Sequence, residues 1–284
     1  MIAAAYLACA LIWGTTWYAI RACIAPGGYP TYVALALRFA IAAALLLPIA
    51  ARLRPWPRGA AWLPLVIAGV LDAIGYTLVY LGEERIVGGI AAVVYGTMPL
   101  VLAVGLAITR IERSRARNLV GAAISLAGVG VLALDRYDVS PRQAIGVAMV
   151  FGSVIVSTAY SIVMKRHAGA VHGVVATTIF LTVTALVLVA VALGAGEPVP
   201  WPPPPAPTAA LAYLAIVGSV VAFLSYFWLL RATSLQLTST LVFVYPLVAL
   251  GVDAALEHTV QVGARAYLGA AIVLGGLAVS LRRS

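Results

Sequence analysis

The sequence predicts an all-α integral membrane protein with ten transmembrane helices, arranged as two inverted repeats of five helices. Composition is the first observation: of the 284 residues, 63% are hydrophobic and only 10% are charged, whereas soluble domains carry about 25% charged residues. The second is an internal repeat: the motif Met98-Pro99-Leu100-Val101 recurs in the second half as Tyr245-Pro246-Leu247-Val248. The third is the distribution of basic residues between successive loops.

Ten apolar segments come close to the roughly 20 residues that a helix needs to cross a bilayer. Glycines, prolines and charged residues interrupt the apolar sequence and place the segments at about residues 2–21, 31–50, 61–82, 88–109, 117–134, 143–164, 173–193, 208–230, 236–256 and 264–281. The longest connection, 194–207, carries Glu197 and the run from Pro202 to Pro205. Such a run favours an extended polyproline strap outside the membrane.

The basic residues alternate between the two sides of this ten-span arrangement. With the N-terminus in the cytoplasm, the inner loops hold twelve basic residues and one acid, whereas the outer loops hold five basic residues and six acids. This is the positive-inside distribution, and it predicts that both termini are cytoplasmic. Because five is an odd number, the second repeat (136–284) enters the membrane with the orientation opposite to that of the first repeat (1–135). Such an architecture places a site near the midplane of the membrane.

Several classes of chemistry find no support in the sequence. The net charge of +9 is explained by arginines in loops and does not indicate nucleic acid. Cys9 and Cys23 lie too far apart on one helix to form a disulfide. No zinc-ligand spacing, phosphate-binding loop or nucleophile motif is apparent. We therefore expect no metal, no cofactor and no enzymatic activity.

The order of the sequence motifs carries a family resemblance over nearly the whole chain. The motifs are Leu-Ile-Trp-Gly-Thr-Thr-Trp-Tyr-Ala-Ile-Arg at 11–21, Leu-Arg-Phe at 37–39, Met-Pro-Leu at 98–100 followed by Glu112, and Tyr-Pro-Leu-Val-Ala-Leu at 245–250 followed by Glu257. In these motifs and in its span count, the sequence resembles the EamA-type, ten-helix branch of the drug/metabolite transporter superfamily. The resemblance implies secondary transport of small metabolites, commonly export, across a bacterial-type inner membrane. The first span lacks the acid on which the four-helix exporters of the superfamily depend, so their mechanism is not carried over.

Acidic residues inside the spans are the candidates for proton coupling. Asp72 lies near the middle of the third span and shares a helix face with Tyr76 and Tyr80. A charged carboxylate at that depth costs at least about 2.5–3.5 kcal/mol, so it must face the interior, be paired or be protonated. Asp253 and Glu257 follow on one face of the ninth span. Each of these acids has a structural alternative, which for Asp72 is a buried acid paired with Arg38 or with a backbone group.

Arg38 and two prolines complete the candidates inside the spans. Arg38 is the one basic residue well inside a span, where it could bind a substrate carboxylate or neutralise Asp72 or Asp253. Pro99 and Pro246 occupy matching places in the two halves, where a proline inside a helix produces a kink, and a gating role is one hypothesis for them. The small-residue pairs Gly121/Ser125 and Ala271/Gly275 indicate helix packing or dimer contacts.

Aromatic residues at several depths predict the walls of a substrate cavity, with plain helix packing as the alternative. The candidate substrate-binding residues are Trp13, Trp17, Arg38, Asp72, Tyr76, Tyr80, Tyr95, Tyr160, Tyr226 and Tyr245. Such walls suit amino acids, aromatic ones among them, or related amines and drugs. The leading hypothesis is an alternating-access exporter, with proton coupling left open, whose partners are a small-molecule substrate and the lipid bilayer. The alternatives are an uncoupled facilitator or exchanger and a structural or signalling membrane protein, and the chain could be a monomer or a homodimer.

Overall fold

The computed structural model describes residues 1–86, 91, 94–111, 116–133, 141–256 and 264–281. Within these ranges the regular structure is helical, and ten main helices follow the predicted spans. They are α1 (Ile2–Ile24), α2 (Thr31–Ala51), α3 (Trp62–Glu83), α4 (Met98–Thr109), α5 (Ala116–Ala133), α6 (Pro141–His167), α7 (Gly173–Ala195), α8 (Pro205–Ala232), α9 (Leu241–Leu256) and α10 (Ala264–Leu281).

Six of these helices are long and apolar enough to cross a membrane, namely α1, α2, α3, α6, α7 and α8. Helix α4 and the segment Leu235–Ala249 are apolar but shorter. The all-helical architecture is therefore confirmed. The ten-span topology, the division into repeats at residue 135 and the side of the termini stay predictions.

The helices form one bundle with a defined set of neighbours. Helix α3 packs against α6 and α7, and α8 packs against α1 and α2. Helices α2 and α7 pack against each other, while α1 contacts α9 and α4 contacts α6. Helices α5 and α10 pair mainly with each other. The bundle interior is therefore shared by helices from both halves of the chain.

Small residues bring α5 and α10 together, as the sequence predicted, but within one chain. Ser125 Oγ on α5 donates a hydrogen bond to the carbonyl oxygen of Val273 on α10, at 3.1 Å. The glycine at the contact is Gly276, since a Cβ there would lie 2.6 Å from the Gly121 oxygen. The predicted Gly275 faces open space instead. Close packing of the two backbones is what these small residues permit.

The fourth span is interrupted before its proline. Gly96 and Thr97 form a turn, and α4 begins at Met98, so Pro99 lies in the first helical turn. In that position the missing N–H group of proline has no helical partner to lose. The expectation of a kink inside the helix at Pro99 is therefore wrong, because the helix starts there. Pro246 lies within the bounds of α9, but its side chain is outside the described residues.

The ninth span is also divided. A five-residue helix, Leu235–Ser239, comes first, and Thr240 separates it from α9. The side chain of Ser234 accepts a hydrogen bond from the backbone N–H of Leu237 and so caps this short helix. The fourth and ninth spans thus share a break ahead of the proline.

Candidate functional site

A cavity of about 90 Å³ lies between α1, α3, α4, α6, α8 and α9. Seven of the eight aromatic residues predicted for the substrate cavity line it, and Tyr80 does not: the seven are Trp13, Trp17, Tyr76, Tyr95, Tyr160, Tyr226 and Tyr245. Met98, which belongs to the repeated Met-Pro-Leu motif, lines the cavity as well, and so do Thr16 and Thr238, which were not predicted as cavity residues. Ser157, which also lines the cavity, belongs to a serine stripe at positions 153, 157 and 161 that is visible in the sequence.

The aromatic walls are held by ring contacts. The ring of Trp13 lies 5.1 Å from that of Tyr226 and 6.0 Å from that of Tyr245, measured between centroids. Trp17 meets Tyr95 at 5.7 Å in an edge-to-face arrangement. Aromatic pairs prefer these separations and tilts. These contacts join α1 to α8, to α9 and to the segment before α4, so the aromatic side chains of the cavity wall pack against one another.

For several hydroxyl groups around the cavity, the donor and the acceptor of the hydrogen bond can be assigned. Ser161 Oγ donates to the carbonyl oxygen of Ser157 at 2.7 Å, which uses its single proton. The hydrogen bond of 2.8 Å between Ser161 and Tyr226 is therefore donated by the tyrosine. Thr16 and Thr238 likewise donate to carbonyl oxygens of their own helices, at 2.7 and 2.9 Å. The hydroxyl oxygens of these two threonines remain as acceptors.

Arg38 lies behind the cavity wall and not in it. Its side chain is 1% exposed, and its guanidinium donates to the hydroxyl oxygens of Tyr80 at 3.3 Å and of Tyr76 at 3.4 Å. It also donates to Ser219 Oγ at 2.9 Å and to the Gly218 carbonyl oxygen at 3.2 Å. The guanidinium carbon lies 4.7 Å from the ring centroid of Tyr76, a cation–π distance. Among these partners only Tyr76 lines the cavity.

The acceptors that hold Arg38 come from an unusual turn of α8. Residues Ile216–Val221 form a π-helical turn in the middle of this helix. Single π-turns within α-helices are frequent at functional sites because they shift the backbone hydrogen bonds. Here the turn presents Gly218 and Ser219 to the guanidinium. No pattern in the sequence indicated this turn.

Asp72 is buried beside a threonine rather than beside Arg38. Its side chain is 1% exposed, and its Oδ2 lies 3.0 Å from Thr184 Oγ1. Its Oδ1 has no hydrogen-bond partner in the described part of the chain. The predicted ion pair between Arg38 and Asp72 is therefore wrong. The guanidinium of Arg38 donates its hydrogen bonds to hydroxyl and carbonyl oxygens instead. Asp72, Arg38 and Tyr80 therefore stand behind the cavity rather than in its wall.

Two of the predicted proton-coupling residues cannot be placed against this site. Asp253 falls within the bounds of α9, but its side chain is outside the described residues, and Glu257 lies outside them altogether. The alternative ion pair between Arg38 and Asp253 thus stays untested.

Comparison with known proteins identifies the family. The model of the EamA-like transporter family matches residues 1–134 and 144–282. The uncharacterized inner membrane transporter YedA of Escherichia coli K12 is 30% identical over 255 residues, which cover 84% of this chain and 77% of YedA. Protein PagO of Salmonella typhimurium is 23% identical over 252 residues, which cover 87% of this chain and 82% of PagO.

A solved crystal structure has the same fold. It superposes with a TM-score of 0.79 over 99% of this chain and 96% of its own, at 21% sequence identity. At that identity the likeness concerns the fold. The family match covers almost the whole sequence, and six helices are apolar enough to span a bilayer. The chain therefore belongs to the EamA-like transporter family and is a transmembrane transporter.

Proposed function

We propose that the chain is a secondary transporter that exports small metabolites, amino acids or related amines, across the inner membrane by alternating access. The observation that carries the proposal is the aromatic cavity between the two halves of the chain. Helices α1, α3 and α4 come from the first half, and α6, α8 and α9 from the second. The name of YedA, an inner membrane transporter, supports the location. The charge distribution supports cytoplasmic termini.

The helix neighbours support two inverted repeats, residues 1–135 and 136–284. Advancing every helix by five positions converts the pair α3–α6 into α8–α1, the pair α3–α7 into α8–α2, and the pair α4–α6 into α9–α1. All of these pairs are in contact. The pairs α2–α7 and α5–α10 map onto themselves and are also in contact. A twofold relation between the repeats accounts for this correspondence.

The size of the cavity supports movement between states. A volume of about 90 Å³ holds a few water molecules, whereas ligand sites usually enclose about 300–1,000 Å³. Separation of the surrounding helices would supply the additional room that a metabolite needs. Because both halves build the cavity, rocking of one half against the other would open it, as alternating access requires.

The hydrogen bonds around Asp72 support its assignment as the proton-coupling residue. Thr184 Oγ1 lies 3.0 Å from Asp72 Oδ2, 3.0 Å from the Phe180 oxygen and 3.1 Å from the Gly69 oxygen. One hydroxyl proton cannot serve three acceptors. If Asp72 is protonated, it donates to Thr184, and Thr184 donates onward to a carbonyl oxygen. The neutral acid thus fits this conformer, and loss of its proton would favour a different one.

The test is transport of radiolabelled amino acids into proteoliposomes, with and without a pH gradient. We expect the gradient to accelerate uptake by the wild type, and Asp72→Asn to lose this acceleration while it retains exchange of substrate. The matched control is Glu84→Gln, which removes an exposed carboxylate at the end of α3, bonded to Thr31 at 2.7 Å. Gradient-driven uptake that survives in Asp72→Asn would contradict the assignment. Uptake by the wild type that ignores the gradient would indicate a facilitator or exchanger.

A further inference from the structure

We propose that the cavity recognises its substrate by a carboxylate group, bound by the indole N–H groups of Trp13 and Trp17 and by the hydroxyl of Tyr76, which Arg38 polarises. This inference rests on the proposed transport function and names the chemical class of the substrate at the same site.

The first step is a surplus of hydrogen-bond donors. The Nε1 atoms of Trp13 and Trp17 are buried and have no hydrogen-bond partner among the described residues. Both residues line the cavity, and the side chain of Trp17 is 8% exposed. Buried N–H groups in folded proteins are nearly always bonded, because an unpaired donor loses its hydration without compensation. A ligand that brings acceptor oxygens into the cavity would satisfy both groups.

The second step concerns the proton of Tyr76. Its hydroxyl oxygen accepts a hydrogen bond from Arg38 Nη2. Arg38 carries only donors, so the proton of Tyr76 cannot be directed back at it. Because Tyr76 lines the cavity, its hydroxyl can donate to a ligand there. The bond from a cation polarises this hydroxyl and makes it a better donor to an anion.

The third step is the balance of charge. Among the described residues, those that line the cavity include no acid and no base. The charge of Arg38 reaches the cavity wall through its hydrogen bond to Tyr76. In the described part of the chain its hydrogen-bond partners are neutral oxygen atoms, and none of them is a carboxylate. Asp72 is turned towards Thr184 and is neutral when protonated. The field at the Tyr76 hydroxyl therefore favours an anion over a cation.

These features define the ligand. A single arginine, acting through a tyrosine, suits a monoanion such as a carboxylate. Phosphate groups require direct contacts with arginine or lysine. The oxygens of Thr16 and Thr238 can accept from an ammonium group but carry no charge. The aromatic walls suit an apolar or aromatic remainder. Carboxylic acids and amino acids with such a remainder fit, and amines without a carboxylate do not.

The test uses four related ligands and the purified full-length chain. L-phenylalanine and 3-phenylpropanoate carry the carboxylate, whereas L-phenylalaninamide and phenethylamine lack it. We expect calorimetric titration to show about tenfold or greater preference for the two carboxylates, the range of a hydrogen bond to a charged group. Tyr76→Phe should abolish most of this preference. Tyr213→Phe, which removes a hydroxyl that bonds Thr15 at 2.6 Å outside the cavity lining, should leave the ratio of affinities unchanged.

Two results would overturn the inference in distinguishable ways. Equal or tighter binding of the amide and the amine, together with their uptake into proteoliposomes, would refute carboxylate recognition and leave the transport function standing. Folded protein that neither binds nor transports any of the four ligands would count against both proposals. An unchanged carboxylate preference in Tyr76→Phe would refute the role of the Tyr76 hydroxyl.

Discussion

At the scale of single residues, Glu197 lies in a loop and caps the N-terminus of a helix that is distant in sequence. Helix α2 starts after Pro30, which offers no side-chain acceptor for the first N–H groups of the helix. Glu197, in the loop between α7 and α8, supplies the acceptor. Its Oε2 accepts hydrogen bonds from the backbone N–H groups of Tyr32 at 2.9 Å and Val33 at 3.1 Å. A carboxylate at a helix N-terminus also interacts favourably with the helix dipole. The loop therefore acts as the N-cap of α2.

We expect Glu197→Ala to lower the free energy of unfolding by about 1–2 kcal/mol, the usual cost of a lost N-cap. Glu197→Gln retains an oxygen acceptor and should lose less. The measurement is the thermal stability of the purified chain in detergent, compared across the two variants. Equal stability of the wild type and Glu197→Ala would show that water replaces the cap without loss.

At the scale of helices, the pairing of α5 with α10 depends on which glycine faces the partner. A Cβ at Gly276 would lie 2.3 Å from Ser125 Oγ and 2.5 Å from the Ser125 nitrogen, so the helices would have to move apart. A Cβ at Gly275 would meet nothing within 4 Å. The two adjacent glycines therefore form a matched pair for testing the helix interface.

Gly276→Ala is expected to destabilise the chain by about 1–3 kcal/mol through overpacking. Gly275→Ala should leave the free energy of unfolding unchanged or raise it by up to about 1 kcal/mol, because alanine has the higher helix propensity. Both are measured as shifts in the midpoint of thermal unfolding in the same detergent. Comparable shifts for the two variants would contradict the assigned face of α10.

Hydropathy makes the helices predictable, because each span must be apolar over about the thickness of the bilayer. The predicted spans at 31–50 and 264–281 thus lie close to α2 (Thr31–Ala51) and α10 (Ala264–Leu281). The aromatic cavity could also be predicted, since Trp13 lies too deep for an interfacial anchor.

The partners of the buried charges could not be predicted. Arg38 binds Ser219, 181 positions away, and Asp72 contacts Thr184, 112 positions away. Sequence spacing within one helix contains no information about such distant contacts. The π-turn Ile216–Val221 also depends on its tertiary setting. The sequence therefore revealed the charged residues but not their neighbours.

At the scale of the whole molecule, two groups of contacts between the halves lie at opposite sets of loops. One group contains Glu197 on α2 and a hydrogen bond of 2.8 Å between Tyr29 and Thr208. The other contains the bond of 2.8 Å between Tyr6 on α1 and Thr240 ahead of α9. In the predicted topology, the Glu197 group is external and the Tyr6 group is cytoplasmic.

Alternating access requires that these two groups open in turn, so weakening either should favour the state open on its own side. Met98→Cys, placed in the cavity wall after Cys9 and Cys23 are replaced by alanine, reports access when a membrane-impermeant maleimide is applied to each side of oriented vesicles. Glu197→Ala should raise external labelling about 5–30-fold, the effect of about 1–2 kcal/mol on a two-state population. Tyr6→Phe, which removes the hydroxyl bonded to Thr240, should instead raise labelling from the cytoplasmic side. If both variants raise labelling from the same side, the two groups do not gate opposite faces and the proposed exchange between inward-open and outward-open states fails.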